Sequence, residues 1–356
     1  MLKESLRLDK KLRAYYDKHE RLLVPGLLVV GFIVDLVTFQ IMSMKSTMQF
    51  LGAYAILAAL ALIYQNIFDG RRSPSKWAVL RYLRALSPYV IQLTFGALLS
   101  SSLLFYWYSG SLSVSWPLLA LVTGVMISSE LFRQYYLKPI TLFGVYTFLL
   151  LSYFAILLPF VMHSINGWIF IISGAMSTFI VLLLITCLAQ LAEHIERQKK
   201  LMYVVVMGVF VLMNVLYFLN IIPPLPLSIR EAGIYNQIIR DGNLFTLVGE
   251  DESFWQGLVP GQIVHANLDE GVYAYTSIFA PAEVRTTIYH NWEYKNLDTG
   301  KWEERGVLNF KIRGGRPEGY RGYTMKSQLE YGKWRVTVAN ERGQVLGRVI
   351  FTLVAP

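Results

Sequence analysis

Charge and cysteine are both scarce in this sequence. Of its 356 residues only 16% are charged, whereas a soluble globular domain carries about 25%. The single cysteine, Cys187, excludes an intramolecular disulfide and any zinc site built on paired cysteines. The five histidines follow no H-x-x-x-H or H-E-x-x-H spacing, so we predict no metal site and no cofactor.

The sequence motifs of several enzyme classes are missing as well. The chain has no G-x-S-x-G nucleophile elbow, no P-loop and no G-x-G-x-x-G turn. A catalytic carboxylate pair would leave no readable spacing. These absences therefore favour a non-enzymatic role, while an enzyme stays an alternative.

Hydrophobic residues make up 54% of the chain and are gathered into long runs. A helix needs roughly 20 apolar residues to cross about 30 Å of hydrocarbon. Seven stretches approach or reach that length, namely 22–41, 49–67, 88–108, 116–134, 140–162, 168–190 and 201–222. We predict a membrane-embedded all-α bundle of seven transmembrane helices over residues 22–222.

Basic residues between the predicted spans alternate from one side to the other. The N-terminal segment and the second, fourth and sixth connections carry 17 Lys and Arg, and the other connections carry only Lys45. Because cytoplasmic loops collect Lys and Arg, we predict a cytoplasmic, amphipathic N-terminal segment at 1–21 and an exported C-terminal part at 223–356. The net charge of +9 belongs to the membrane part, so it does not indicate nucleic-acid binding.

The residue pattern changes after the seventh predicted span. The IIPPLPL segment cannot continue a helix, and Ser228 with Glu231 forms an S-x-x-E capping box that predicts a short new helix. We assign residues 223–261 to a junction and capping arm. Polar and apolar residues then alternate over 262–356, which predicts a small all-β, immunoglobulin-like antiparallel sandwich of six or seven strands.

The C-terminal residues resemble a known family. YHNWEYK, KIRGGRPEGYRGYTMKS and YGKWRVTVANERGQVLGRVIFTL are similar to the His-x-Trp strand, the Arg- and aromatic-rich turn and the Gly-x-Trp-x-Val strand of the bacterial domain of unknown function 2914. The resemblance covers residues 221–356 well. It implies a bacterial inner-membrane protein with a periplasmic β-domain, and it implies no chemistry, because the family has no established activity.

One segment of the predicted β-domain, residues 305–335, is rich in basic and aromatic side chains. It holds eight Lys or Arg against two acids, whereas residues 223–356 as a whole hold 15 of each sign. Arginine forks grip phosphate or carboxylate, and tyrosine rings offer stacking surfaces. We predict an anion-binding site made of Arg313, Arg316, Tyr320, Arg321, Tyr323 and Lys326. The alternative is a solvated strand face, on which every second residue meets water.

Three ionisable residues within the predicted spans are further candidates, because charge inside a bilayer is costly and often functional. Asp35 has no basic residue near it in its own span, so two interpretations stay open: a hydrogen bond between helices, and a proton, ion or substrate role. Glu130 and Arg133 lie three residues apart, which is typical of an ordinary pair at a helix end.

Three functions fit these features. The sequence favours a membrane-anchored periplasmic binding or assembly module, whose β-domain recognises an envelope protein partner or an anionic polymer while membrane lipids surround the spans. The second function is a transporter or membrane-embedded enzyme that uses the helical bundle. The third is a sensor acting through a partner protein, because the short cytoplasmic segments leave no room for an output domain.

Overall fold

The computed structural model describes residues 43–69, 78–131, 138–241, 244–249, 261–268, 271–280, 284–314 and 319–356. Within these ranges six helices are followed by ten strands. The N-terminal segment 1–21 and the first predicted span, 22–41, lie outside the described residues.

The helices follow the long apolar runs. They are α1 Met44–Asp69, α2 Ala78–Ser109, α3 Leu112–Leu131, α4 Pro139–Met162, α5 Gly167–Leu191 and α6 Glu193–Phe218. Five of them, α1, α2, α4, α5 and α6, are long and apolar enough to cross a membrane. The apolar part of α3, Val114–Ser128, is shorter. Within the described ranges, length and composition thus support five spans where the sequence predicted six.

Two helix boundaries differ from those predicted. α2 begins at Ala78 and continues through Pro88, which the sequence had placed at its start, so the chain accepts the loss of one backbone hydrogen bond there. Only Ala192 separates α5 from α6, so basic residues predicted to form a loop lie in the first turns of α6. There Arg197 bonds to Glu193 at 2.6 Å with both side chains exposed, which is an ordinary helix-surface pair.

The described residues form two compact units. One holds the chain up to Leu104 together with Ala120–Phe154 and Gly174–Leu212, and the other holds Phe105–Leu119, Ala155–Ser173 and Met213–Pro356. In the first unit, Tyr146 donates across helices to the Ala55 carbonyl at 2.9 Å. The second unit therefore contains the strands together with parts of several helices.

The C-terminal region, residues 223–356, is all-β and is called the β-domain below. Its strands are β1 Ser228–Tyr235, β2 Gln237–Asp241, β3 Leu244–Val248, β4 Gln262–His265, β5 Val272–Phe279, β6 Arg285–Lys295, β7 Trp302–Arg313, β8 Tyr320–Lys326, β9 Gly332–Asn340 and β10 Val345–Val354. They form a three-stranded sheet β1–β5–β8, a five-stranded sheet β4–β10–β9–β6–β7 and a β2–β3 hairpin. Among the described pairs, all are antiparallel except β4–β10, which is parallel.

The short helix predicted from the capping box at Ser228 and Glu231 was wrong. Both residues lie in β1, which pairs along its length with β5 and buries Ile234. A capping residue contributes only about 1 kcal/mol to a helix. The backbone ladder to a distant strand and the burial of Ile234 outweigh that local preference. Strand structure therefore begins within the predicted capping arm.

Side chains from the two larger sheets share the core of the β-domain. One apolar cluster combines Ile234 and Ala274 of the three-stranded sheet with Trp292, Trp334 and Phe351 of the five-stranded sheet. The two indoles are among the largest fully buried side chains. Burying each indole stabilises the fold by roughly 4–6 kcal/mol before entropy is counted.

A β-bulge sets the register of the β6–β7 hairpin. Lys295 pairs with Trp302 near the turn, and Arg285 pairs with Arg313 at the other end, because the register shifts by one residue in between. Without that shift Arg285 would lie opposite Ile312. A one-residue shift moves side chains to the opposite face of a strand. The bulge therefore turns Ile312 towards the core and Arg313 outwards.

Candidate functional site

The His-x-Trp pair that carries the family resemblance lies in the interior of the β-domain. Fully buried His290 places Nδ1 2.8 Å from Thr324 Oγ1 and Nε2 3.1 Å from Thr276 Oγ1. Trp292 Nε1 donates to the same Thr324 oxygen at 3.3 Å. Each ring nitrogen of His290 thus has a threonine hydroxyl within hydrogen-bonding distance, and a hydroxyl can both donate and accept. This network links β6 with β5 and β8, and so links the two sheets.

The environment keeps the imidazole neutral. Burial lowers the pKa of His290 to about 4. A neutral histidine with a partner at both nitrogens, and with its ring nearly perpendicular to that of Phe310, is a structural element of the core. The family resemblance therefore rests partly on residues that hold the two sheets together.

The residues predicted to form one anion site are divided among several surfaces. Successive residues of a strand point to opposite faces. In β8, Arg321 and Tyr323 lie on the outer face of the three-stranded sheet, whereas Tyr320 packs against a core cluster. Lys326 also lies on the inner side and donates to the Arg305 carbonyl at 2.8 Å. The alternation separates side chains that are close in sequence.

The two remaining members of the predicted site lie elsewhere. Arg313 ends β7 on the five-stranded sheet, where it is exposed. Arg316 lies outside the described residues. Position in the chain therefore does not indicate which of these cations share a surface.

Acidic partners within the β-domain neutralise some of the basic residues of the 305–335 segment. The Arg305 guanidinium lies 3.3 Å from Glu303 and 3.6 Å from Glu330. Its guanidinium carbon is 5.5 Å from the centroid of the Tyr294 ring. Burial and then the charge of Arg305 lower the pKa of the Lys326 amine. These residues therefore contact one another within the β-domain, and Arg305 is already paired with acidic side chains.

Arg335 is held in a second internal group. It forms two hydrogen bonds to the Glu293 carboxylate, at 2.8 and 2.5 Å, and lies 4.4 Å from the centroid of the Trp302 ring. Burial raises the pKa of Glu293. A larger opposite effect comes from the hydrogen bonds of Arg335 and Thr337 and from the charges of Arg335 and Arg348, so the pKa lies below its usual value. The carboxylate is therefore fully engaged.

The outer face of the five-stranded sheet carries an excess of positive charge. Its strand residues include seven cations, Arg285, Lys295, Lys311, Arg313, Lys333, Arg335 and Arg348, and two acids, Glu293 and Glu304. We call these nine residues the cationic sheet face. Because the β-domain as a whole holds equal numbers of each sign, its charge is polarised towards this face.

Three exposed cations gather at one end of the cationic sheet face, and we call them the arginine end. Arg285 lies directly opposite Arg313, and Lys311 lies opposite Thr287 on the same face. Like charges directly opposite one another destabilise a sheet. None of the three cations has an ion pair with any of the described residues. Sequence reasoning missed Arg285 because it lies outside 305–335.

The turn between β9 and β10 contacts helix ends within the same compact unit. The Arg342 guanidinium carbon lies 4.6 Å from the centroid of the Tyr217 ring and 5.3 Å from that of Phe218. Gln344 Nε2 donates to the Ile222 carbonyl at 3.0 Å. A cation at the C-terminal end of α6 also complements the helix dipole. This end of the β-domain is therefore fixed against α6.

The side chains of the three ionisable candidates in the predicted spans lie outside the described part of the structure. Asp35 and Arg133 lie outside the described residues, and Glu130 lies in α3 with its side chain not described. Asn66, at the C-terminal end of α1, donates to the Leu62 carbonyl at 2.8 Å, and its oxygen is 3.3 Å from His194 Nε2. In the part of the chain that the structure describes, no group of three His, Cys, Asp or Glu residues is placed to hold a metal ion.

Comparison with known proteins bears on the β-domain. Residues 285–353 match the family described as Protein of unknown function (DUF2914). The resemblance expected from the sequence is confirmed for β6 to β10, a shorter segment than the 221–356 expected. No curated protein matches the chain at a significant level.

One solved structure aligns over much of the chain without resembling it closely. The Pseudomonas fluorescens alkylpurine DNA glycosylase AlkC, bound to DNA containing an abasic site analog, covers 88% of this chain and 84% of its own. The sequence identity is 13% and the TM-score is 0.23. A similarity this low carries no argument about fold or function.

Proposed function

We propose that this protein is a membrane-anchored binding module of the bacterial inner membrane. Seven helices anchor it with the N-terminus in the cytoplasm, and a periplasmic, immunoglobulin-like β-sandwich recognises an anionic ligand through the cationic sheet face. The observation that carries the proposal is the charge polarisation, seven cations against two acids on one sheet face.

The chemistry of the arginine end supports anion recognition. Arg285 and Arg313 face each other across the β6–β7 pair, so their guanidinium groups repel. A phosphate or carboxylate between them replaces that repulsion with charge-assisted hydrogen bonds, and guanidinium forks fit such groups bidentately. Lys311 adds a third donor on the same face.

Topology is tested with C-terminal fusions. The 17-to-1 distribution of basic residues between alternate connections supports an exported C-terminus. Alkaline phosphatase fused after Pro356 should be active, and green fluorescent protein fused at the same place should be dark. The opposite pattern would contradict the proposed orientation.

Ligand recognition is tested with the full-length protein in detergent micelles and inorganic polyphosphate as a soluble anionic probe. The triple variant Arg285→Gln, Lys311→Gln, Arg313→Gln should bind about 10–100-fold more weakly and with less salt dependence. This range follows from about 0.5–1 kcal/mol for each exposed charge contact.

A matched control removes three exposed cations from other surfaces of the β-domain, through Arg230→Gln, Arg240→Gln and Lys301→Gln. Both triple variants change the net charge equally, so the control should bind within about twofold of the wild type if position matters. Absence of salt-sensitive binding by the wild type, or an equal loss in the control, would contradict the proposal.

A further inference from the structure

The arginine end lies at the end of the five-stranded sheet that adjoins helix ends of its own compact unit. Val284 and Ile312, the chain neighbours of Arg285 and Arg313, belong to a buried cluster of the β-domain. Ile165, from the connection between α4 and α5, packs against this cluster. Arg285 and Arg313 are thus the chain neighbours of two buried residues, and the cluster that these residues form contacts the connection between α4 and α5.

Contacts of the β9–β10 turn also place the arginine end near a helix end. Thr287, the residue opposite Lys311, donates its backbone N–H to the Glu341 carboxylate at 3.1 Å. The next residue of the turn, Arg342, lies over the rings of Tyr217 and Phe218 at the C-terminal end of α6. The arginine end and this helix end therefore adjoin the same turn.

Exposed aromatic residues mark these helix ends as the level of a membrane interface. They are Trp107 and Tyr108 at the end of α2, Trp116 in the first turns of α3 and Trp168 at the start of α5, exposed by 53%, 44%, 63% and 74%. Trp and Tyr are enriched where membrane helices meet lipid headgroups. A Cβ built on Gly110, between α2 and α3, would lie 3.0 Å from Pro223 Cβ, which places that connection beside the start of the β-domain.

From these placements we infer that the arginine end binds the phosphate of an anionic phospholipid headgroup in the surrounding membrane. This inference rests on the proposed function and names its ligand. Arg285 and Arg313 grip the phosphate oxygens, and Lys311 adds a point charge. A headgroup is favoured over a free anion because the site adjoins the level at which the helices meet the headgroups.

Native mass spectrometry of the full-length protein in detergent tests the lipid. The protein is loaded separately with phosphatidylglycerol and with phosphatidylcholine of the same acyl chains, and glycerol 1-phosphate supplies the headgroup chemistry without a tail. The wild type should retain phosphatidylglycerol at least about fivefold better than phosphatidylcholine, and glycerol 1-phosphate should compete poorly.

Two charge-matched variants locate the site. Arg285→Gln with Arg313→Gln should abolish the preference for phosphatidylglycerol. Arg240→Gln with Lys301→Gln, which removes two exposed cations that lie outside the cationic sheet face, should preserve it. All four side chains are exposed, so the melting temperatures of both variants should stay within a few degrees of the wild type.

The outcomes separate this inference from the proposed function. Polyphosphate binding without any lipid preference would overturn the lipid assignment and leave anion recognition standing. If glycerol 1-phosphate binds as strongly as phosphatidylglycerol, the site recognises a soluble phosphate, and the inference is overturned as well. A preference that survives in the double arginine variant would place lipid selection elsewhere.

Discussion

Lowering the pH from 7 to 5 should destabilise the β-domain. In this range the imidazole of His290 takes up a proton when the domain opens, but it stays neutral while it is buried in the folded domain. Its folded pKa of about 4 lies below the ordinary value of 6.5. Between these two values the unfolded chain binds a proton that the folded chain does not. The stabilisation is therefore complete above pH 6.5 and is lost as the pH falls towards 4.

The size of the effect follows from the two pKa values. The full loss between pH 6.5 and pH 4 is about 3 kcal/mol. At pH 5 the loss is about 2 kcal/mol, or roughly a 30-fold increase in the opening equilibrium. The carboxyl of Glu293, whose pKa is lowered, stabilises the fold above its unfolded pKa of about 4.5 and loses this contribution only below that pH, outside the window from 7 to 5.

Hydrogen exchange of the full-length protein measures this opening directly. Peptides from β5, β6 and β8 are compared at pH 7 and pH 5, after correction for the intrinsic pH dependence of exchange. His290→Gln serves as the control, because an amide can hydrogen-bond to Thr276 and Thr324 without titrating. The variant should open more readily than the wild type at pH 7 and show little change on going to pH 5.

Two results would refute the reasoning. An opening free energy of the wild type that stays constant from pH 7 to pH 5 would mean that the imidazole is accessible to protons in the folded state. An equal pH dependence in His290→Gln would assign the effect to other groups.

Three further substitutions test the packing of the β-domain. Gly322→Ala would place a Cβ 2.1 Å from a ring carbon of Phe310, so it should lower the free energy of unfolding by about 1–3 kcal/mol and be visible as a lower melting temperature. Glu293→Gln removes the charged partner of Arg335, whose side chain is only 17% exposed, and should cost about 1–3 kcal/mol by chemical denaturation. Arg342→Gln should speed hydrogen exchange in the β9–β10 turn and leave the β2–β3 hairpin unchanged, because only the turn loses its contact with the α6 rings.

Helices and strands were predictable to different degrees because their signals have different ranges. Hydropathy is a local property, so the long apolar helices appear near their predicted positions. The parallel pairing of β4 with β10 joins distant parts of the chain, and no local pattern reports it. At Ser228 the local signal was present and misleading, because pairing with β5 decides the conformation.

The candidate site was only partly readable from the sequence for the same reason. Alternation explains why Arg321 and Tyr323 share a surface that excludes Tyr320 and Lys326, but the sequence does not show which sheet each strand joins. Arg285 could have been found only by counting back from the β6–β7 turn and allowing for the bulge. The single extra residue of the bulge decides whether Arg313 or Ile312 lies opposite Arg285.

The contact of Ile165 with a buried cluster of the β-domain has a consequence for biosynthesis. Ribosomes make the α4–α5 connection before any strand of the β-domain exists. The cluster is therefore completed only when strands made later in synthesis pack against a side chain made earlier. A β-domain produced without the helices would lack this contact and the contact of Arg342 with the rings of Tyr217 and Phe218. The C-terminal strands alone therefore do not supply all the side chains that pack in the second compact unit.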